Sequence, residues 1–291
     1  MLRLKLFIIS FALIAIFVLL TVSSVLAAPV QPTPFGKPAT VAAPAATLVP
    51  ATPVQGATAV PATPNQRPTE TSNEVVPTGE VEILVIDEGP YKGIEYSFSE
   101  DGAPVLGSPD APITIIEFAD YACPHCQRYM PVIQQFITDY VATGRARYEY
   151  RNFPTAGGDA TYVVGSVVAC FEEQRSGSFW LAHDRLFEMA QNGEYNPEGL
   201  QQLAESLDIN FDDAYTCAAS AERTQVDIDV TFGRDLDVGG TPAVRVRYGD
   251  APAQHLVVGG DAYDNGGAAL EVLIQAVEDA ETGDIPAVSE S

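Results

Sequence analysis

What most limits the fold of this chain is the stretch "ITIIEFADYACPHC", Ile113 to Cys126. In it a β-branched run leads straight into two cysteines separated by a proline and a histidine. Ile113 to Phe118 reads as a strand. Beyond the cysteines, Met130, Ile133, Phe136, Ile137 and Tyr140 return at helical spacing, and Pro131 is expected to kink the helix they line. "ARYEYRNFP", Ala146 to Pro154, then alternates as another strand. Strand, cysteine pair, helix and strand make a βαβ unit whose helix begins at the cysteines.

That placement has a chemical consequence. A thiolate is the reactive form of cysteine, and a helix N-terminus stabilises it through unpaired amide donors and about half a unit of positive charge. Cys123 occupies that end. Pro124 suits the first turn, where a missing N–H leaves nothing unsatisfied. The ring of His125 is expected to donate a hydrogen bond to the Cys123 sulfur, or to offer it a charge. Each effect lowers the pKa of Cys123 and favours the dithiol over the disulfide, which makes the pair an oxidant. Cys126, one turn on and facing inward, is expected to keep a more ordinary pKa and to act as the resolving thiol. The competing readings are a zinc half-site and a structural staple. Zinc needs a second close pair, whereas Cys170 and Cys217 stand 47 residues apart and the chain holds 3 histidines, so no metal is expected. A staple across two residues would remove little chain entropy.

The ends of the chain are not domain sequence. Residues 1–28 carry Arg3 and Lys5 ahead of an apolar run of 22 residues, Leu6 to Ala27, which reads as a signal anchor or a signal peptide. Either one exports the rest of the chain. Residues 29–79 hold 11 prolines among alanine, threonine and valine and form a spacer, with a reach between ~40 Å as a coil and ~150 Å as polyproline II. Residues 80–285 are the domain and 286–291 a tail. From Glu80 onward the chain has 11 Lys and Arg against 37 Asp and Glu, a formal charge of 11 − 37 = −26, which argues against nucleic acid as a partner. Four cysteines in an exported chain read as two disulfides, and the spacing separates the CPHC pair from Cys170 and Cys217. The latter lie in apolar helical surroundings and are expected to form a structural disulfide.

Within the domain, "VEILVI" (Val81 to Ile86) reads as a strand. Residues 157–220 read as a helical block, with stripes at Val163, Val164, Val167, Val168 and Phe171, at Phe179, Trp180, His183 and Phe187, and at Leu200, Leu203, Ala204 and Leu207. His183 belongs to an apolar face and is expected in the core. "TQVDIDVTFGRDLDV" alternates at Val226, Ile228, Val230 and Phe232, which by period alone is a strand. "TPAVRVRYG" and "AQHLVVGG" form a hairpin, and Leu270, Leu273, Ile274 and Val277 mark a last helix.

The strand with its CPHC, the helical block, and "GGTPAV" ahead of two strands and a helix resemble the DsbA-type thiol-disulfide oxidoreductases, and within them the membrane-tethered bacterial BdbD-like members. The likeness runs from about Ile94 to Glu281. It implies an α/β thioredoxin fold with a helical insertion between its βαβ and ββα halves, and a helix at Gln225 to Leu236. It implies that Cys123 and Cys126 exchange electrons, that Thr241-Pro242 is a cis-proline loop beside them, and that Glu117 is a buried acid serving Cys126. It further implies an extracytoplasmic dithiol oxidase without a cofactor. Such an enzyme acts on thiol-containing exported polypeptides and is reoxidised by a quinone-linked membrane protein of DsbB- or VKOR-like type. The alternatives are a reductase or isomerase on the same fold, or a redox-inert binding module on a stalk.

Overall fold

The computed structural model describes residues 83–263 and 266–286. The leader, the spacer and the last tail residues lie outside the described residues. Eight strands form one sheet in the order β1-β2-β3-β5-β4-β6-β7-β8. They are β1 (Leu84–Val85), β2 (Glu95–Phe98), β3 (Pro104–Leu106), β4 (Ile113–Ala119), β5 (Arg147–Asn152), β6 (Ala243–Tyr248), β7 (Gln254–Val258) and β8 (Asp261–Tyr263). At the centre β4 runs parallel to β5 and antiparallel to β6. All seven residues of β4 are buried, which is why the strand is mostly apolar on both faces rather than alternating, with Glu117 its one charged residue.

The helix α1 (Pro124–Phe136) connects β4 to β5, completing the βαβ unit. Pro131 sits inside it without ending it, and a π-helical turn, Ile137–Val141, comes after it. Its buried face is Cys126, Tyr129, Met130, Ile133 and Phe136. Between β5 and β6 come α2 (Gly158–Ala169), α3 (Ser178–Asn192), α4 (Pro197–Ser206), α5 (Phe211–Ser220) and α6 (Gln225–Asp235); α7 (Leu270–Thr282) closes the described chain.

Three differences from the sequence reading have physical causes. The strand placed at Val81 to Ile86 is confined to Leu84–Val85 among the described residues, and two further short strands, β2 and β3, extend the sheet beyond β5. Their hairpin turns at Gly102, whose φ of 90° is open to glycine at little cost. The segment that alternates from Val226 to Phe232 is the helix α6. Thr224 and Asp227 form a capping box at its start, and its buried face is Val226, Asp229 and Gly233. One of those residues is charged and another has no side chain, so the inward stripe carries no hydrophobic signature. Gly233 permits the approach of α6 to the sheet: a Cβ there would stand 2.8 Å from Phe153 and 3.0 Å from Phe118.

Cys170 and Cys217 are bonded, with Cα atoms 6.2 Å apart, and the bridge joins the C-terminal end of α2 to α5. Their surroundings are the reverse of a thiolate site: Cys170 caps a helix C-terminus and Glu173 Oε1 lies 3.5 Å from the Cys217 sulfur. Replacing both by alanine is expected to lower the unfolding free energy by roughly 2–4 kcal/mol, through the freedom it restores to the unfolded chain. Urea unfolding under non-reducing conditions checks this, and an unchanged midpoint would remove the bridge from any account of stability.

Candidate active site

Cys123 is the N-cap of α1, with φ −75° and ψ 120°, and Pro124 holds the first helical position. The loop that delivers it is tied down from inside, because the Cys123 amide donates to the Asp120 carbonyl at 2.9 Å. One helical turn later, Cys126 is completely buried, while Cys123 keeps 5% exposure at the surface of the cluster. Thr241-Pro242, at the start of β6, is cis, and the Thr241 carbonyl accepts from the Cys123 thiol at 3.5 Å. The structure thus brings together Cys123, Pro124, His125, Cys126, Thr241 and Pro242, although 118 residues separate Cys123 from Thr241 in the chain. A groove of about 460 Å³ opens beside them, lined by His125, Arg128, Tyr129, Thr241, Pro242 and Gly267.

The two sulfurs sit in unlike environments. Burial pushes the Cys123 thiol up, but the Thr241 side chain and the backbone amides of Cys126 and His125 outweigh it, and its pKa falls below the ordinary cysteine value. For Cys126 burial dominates. The Asp120 backbone pulls it down, but burial and the negative charge of Glu117 prevail, and its pKa rises far above the ordinary value. The thiolate is therefore favoured on Cys123, the less buried of the two sulfurs.

His125 contributes differently from the sequence expectation. Its backbone amide, not its ring, serves Cys123. The ring is exposed, and its Nδ1 lies 2.9 Å from Arg128 Nη2; since a guanidinium can only donate, Nδ1 accepts and the ring hydrogen is on Nε2. Arg128, unmarked in the sequence, lines the groove with Thr241 and Pro242.

Glu117, on β4 beneath α1, is buried and accepts from the Tyr148 hydroxyl at 2.6 Å, while Oε1 has no hydrogen-bond partner. Burial pushes its carboxyl up to about 7 against the opposing pull of that hydroxyl. An acid poised near neutrality whose charge is felt at Cys126 can take or give a proton there. His183 lies in the core, ringed by Tyr121, Tyr150, Phe179, Trp180 and Phe187. It locks the segment ahead of Cys123 onto α3.

The thioredoxin family model matches residues 99–248, a little over half of the chain. This chain belongs to the thioredoxin family. Among thioredoxin-family relatives, it is 29% identical to the disulfide bond formation protein D of Bacillus subtilis over 160 residues, 50% of this chain and 68% of that protein. The crystal structure of oxidised BdbD from B. subtilis covers 64% of this chain and 96% of its own, with a TM-score of 0.52 and 24% identity, a likeness of fold. A Na(+)/H(+) antiporter, NhaA 1 of Salinispora arenicola, is 32% identical over 142 residues, which are 47% of this chain and only 20% of the antiporter. The chain spans a fifth of that relative's length, and among the described residues no helix is long and apolar enough to cross a membrane. The architecture is the thioredoxin fold, with α2 to α5 inserted between its βαβ and ββα halves.

Proposed function

We propose that this domain is an extracytoplasmic dithiol oxidase that introduces disulfides into exported polypeptides. The observation that carries the reading is the asymmetry of the two sulfurs: Cys123 caps the helix N-terminus at 5% exposure beside the cis-proline, with its pKa lowered, while Cys126 is fully buried, with its pKa raised. A substrate thiolate attacks Cys123 Sγ in the disulfide form. The Cys123–Cys126 bond breaks, and Cys126 leaves with the electron pair and takes up a proton, for which Glu117 is the nearby donor. A second substrate thiolate attacks the substrate sulfur of the mixed disulfide, and Cys123 leaves as a stable thiolate. Two substrate thiols become one disulfide, and the domain becomes a dithiol. An extended substrate segment lies along the cis-proline loop and the groove beside it. A quinone-linked membrane protein of DsbB- or VKOR-like type then returns the pair to its disulfide. The apolar leader exports the domain, and the spacer lets a tethered copy reach that partner often.

Equilibration with glutathione measures the potential, and an oxidative refolding assay beside an insulin reduction assay measures the direction. The expected potential lies nearer the ~−120 mV of a strong oxidant than the ~−270 mV of a reductant, with refolding activity lost in Cys123→Ala. A strongly reducing potential makes the domain a reductase instead, and an inert pair makes it a binding module.

A further inference from the structure

Arg128 is exposed on α1, and among the described residues its guanidinium pairs with no acid of this chain. Its hydrogen bond to His125 Nδ1 at 2.9 Å uses one of five N–H groups. The lack of an acid is built into the helix. Among the described residues α1 is the one α-helix without Asp or Glu. The positions that helical geometry sets beside Arg128, three and four residues away, are Pro124, His125, Pro131 and Val132. The groove of about 460 Å³ continues the pattern, since no residue lining it is acidic. From Glu80 onward the chain has 37 Asp and Glu against 11 Lys and Arg, so an acid-free groove with an unpaired guanidinium is a local reversal of the domain's charge.

The same groove is lined by Thr241 and Pro242, and the Thr241 carbonyl meets Cys123 Sγ at 3.5 Å. A polypeptide that brings a thiolate to Cys123 through this groove therefore lays the side chains flanking its cysteine along Arg128. A neutral neighbour gains nothing from the guanidinium and a lysine is repelled, whereas a carboxylate accepts its N–H groups in pairs. We propose that Arg128 selects polypeptides carrying an acidic side chain next to the reactive cysteine. The inference rests on the redox reading above and names a substrate class for it. Arg128 determines specificity by touching the substrate beside the reacting sulfurs. The domain's distant negative charges oppose the approach of any acidic chain, but at about 0.15 M salt they are screened beyond ~8 Å, while a contact pair in the groove persists.

The test uses two short peptides, each with one cysteine and identical except that the residues flanking it are Glu in one and Gln in the other. In the full-length chain in detergent, two peptide thiols reduce the Cys123–Cys126 disulfide to the dithiol and become one peptide disulfide. Consumption of the oxidised protein is followed by acid quench and mass spectrometry, and each rate is divided by the thiolate fraction of its peptide, because a neighbouring Glu raises the thiol pKa. The parent is expected to react about fivefold faster with the Glu peptide at about 0.15 M salt, and the preference is expected to shrink toward one at about 1 M. Arg128→Met is expected to bring the ratio to about one, and Arg128→Lys to keep most of the preference. Both peptides attack the same disulfide, so any effect of a variant on the sulfurs cancels in the ratio. A parent ratio of one or less, a ratio that survives high salt, or an unchanged ratio in Arg128→Met overturns the proposal. A parent protein that consumes neither peptide overturns the redox reading instead.

Discussion

Arg151→Met is expected to be the most destabilising substitution of a charged residue in this domain, by about 3–5 kcal/mol in urea unfolding at pH 8. The Arg151 guanidinium is 1% exposed and bridges three acids: Glu149 at 2.6 Å, Asp101 at 2.7 Å and Asp229 at 3.2 Å. Those contacts join the β2–β3 turn, β5 and α6, and Arg247 adds β6 through Glu149 at 2.7 Å. Methionine keeps much of the volume but leaves buried carboxylates with less positive charge to face, and an uncompensated buried charge costs more than the pair contributes. Burial already pushes the Asp229 carboxyl up to about 7 against the pull of Arg151. In the variant the carboxyl is expected to take up a proton more readily, so the loss should shrink as the pH falls toward 5. Arg151→Met/Asp229→Asn should recover part of it at pH 8, because the amide carries no charge. A single variant within 1 kcal/mol of the parent at pH 8 would show that the cluster is spectator to stability.

The parts of this architecture legible in the sequence are those where burial follows a period. β4 is mostly apolar on both sides because both faces are covered, and α1 shows its stripe because only one face is. The cysteine pair was visible from its position between them. What escaped the sequence is buried and polar. Asp120, Glu149, Arg151 and Asp229 are all at most 2% exposed, yet each reads in one dimension as a surface residue, since nothing local reveals a partner 35 or more residues away. Thr155 and Thr241 are 86 residues apart and become neighbours only when α2 to α6 fold back over the sheet. The ring of His125 misled for a related reason. Adjacency to Cys123 is a property of the sequence, whereas on a helix the side chain three residues on is the neighbour, and there Arg128 takes the imidazole.

Glu117→Gln should separate stability from chemistry in one substitution. The carboxyl titrates at about 7 in the folded protein against 4.5 in the open chain, so between those values the folded state binds more protons. Its stabilising contribution is then complete below pH 4.5 and lost as the pH rises through 7, at up to about 3 kcal/mol for such a shift. His183 works in the other direction. Burial lowers its pKa to about 4 from 6.5, so its contribution is present above pH 6.5 and is lost as the pH falls through 4. Glutamine removes only the first effect, so the variant is expected to be more stable than the parent at pH 8, with the two curves converging near pH 4. In the redox cycle the same change removes the group placed to exchange a proton with Cys126, and the step in which Cys126 leaves or attacks should slow by ~10²-fold. The pH dependence near 7 should disappear from that step while the Cys123 thiolate titration stays in place. Stopped-flow exchange with a thiol peptide across pH 5–9, beside urea unfolding at the same values, measures both. An unaltered rate profile would leave Glu117 a buried acid that costs stability without serving Cys126.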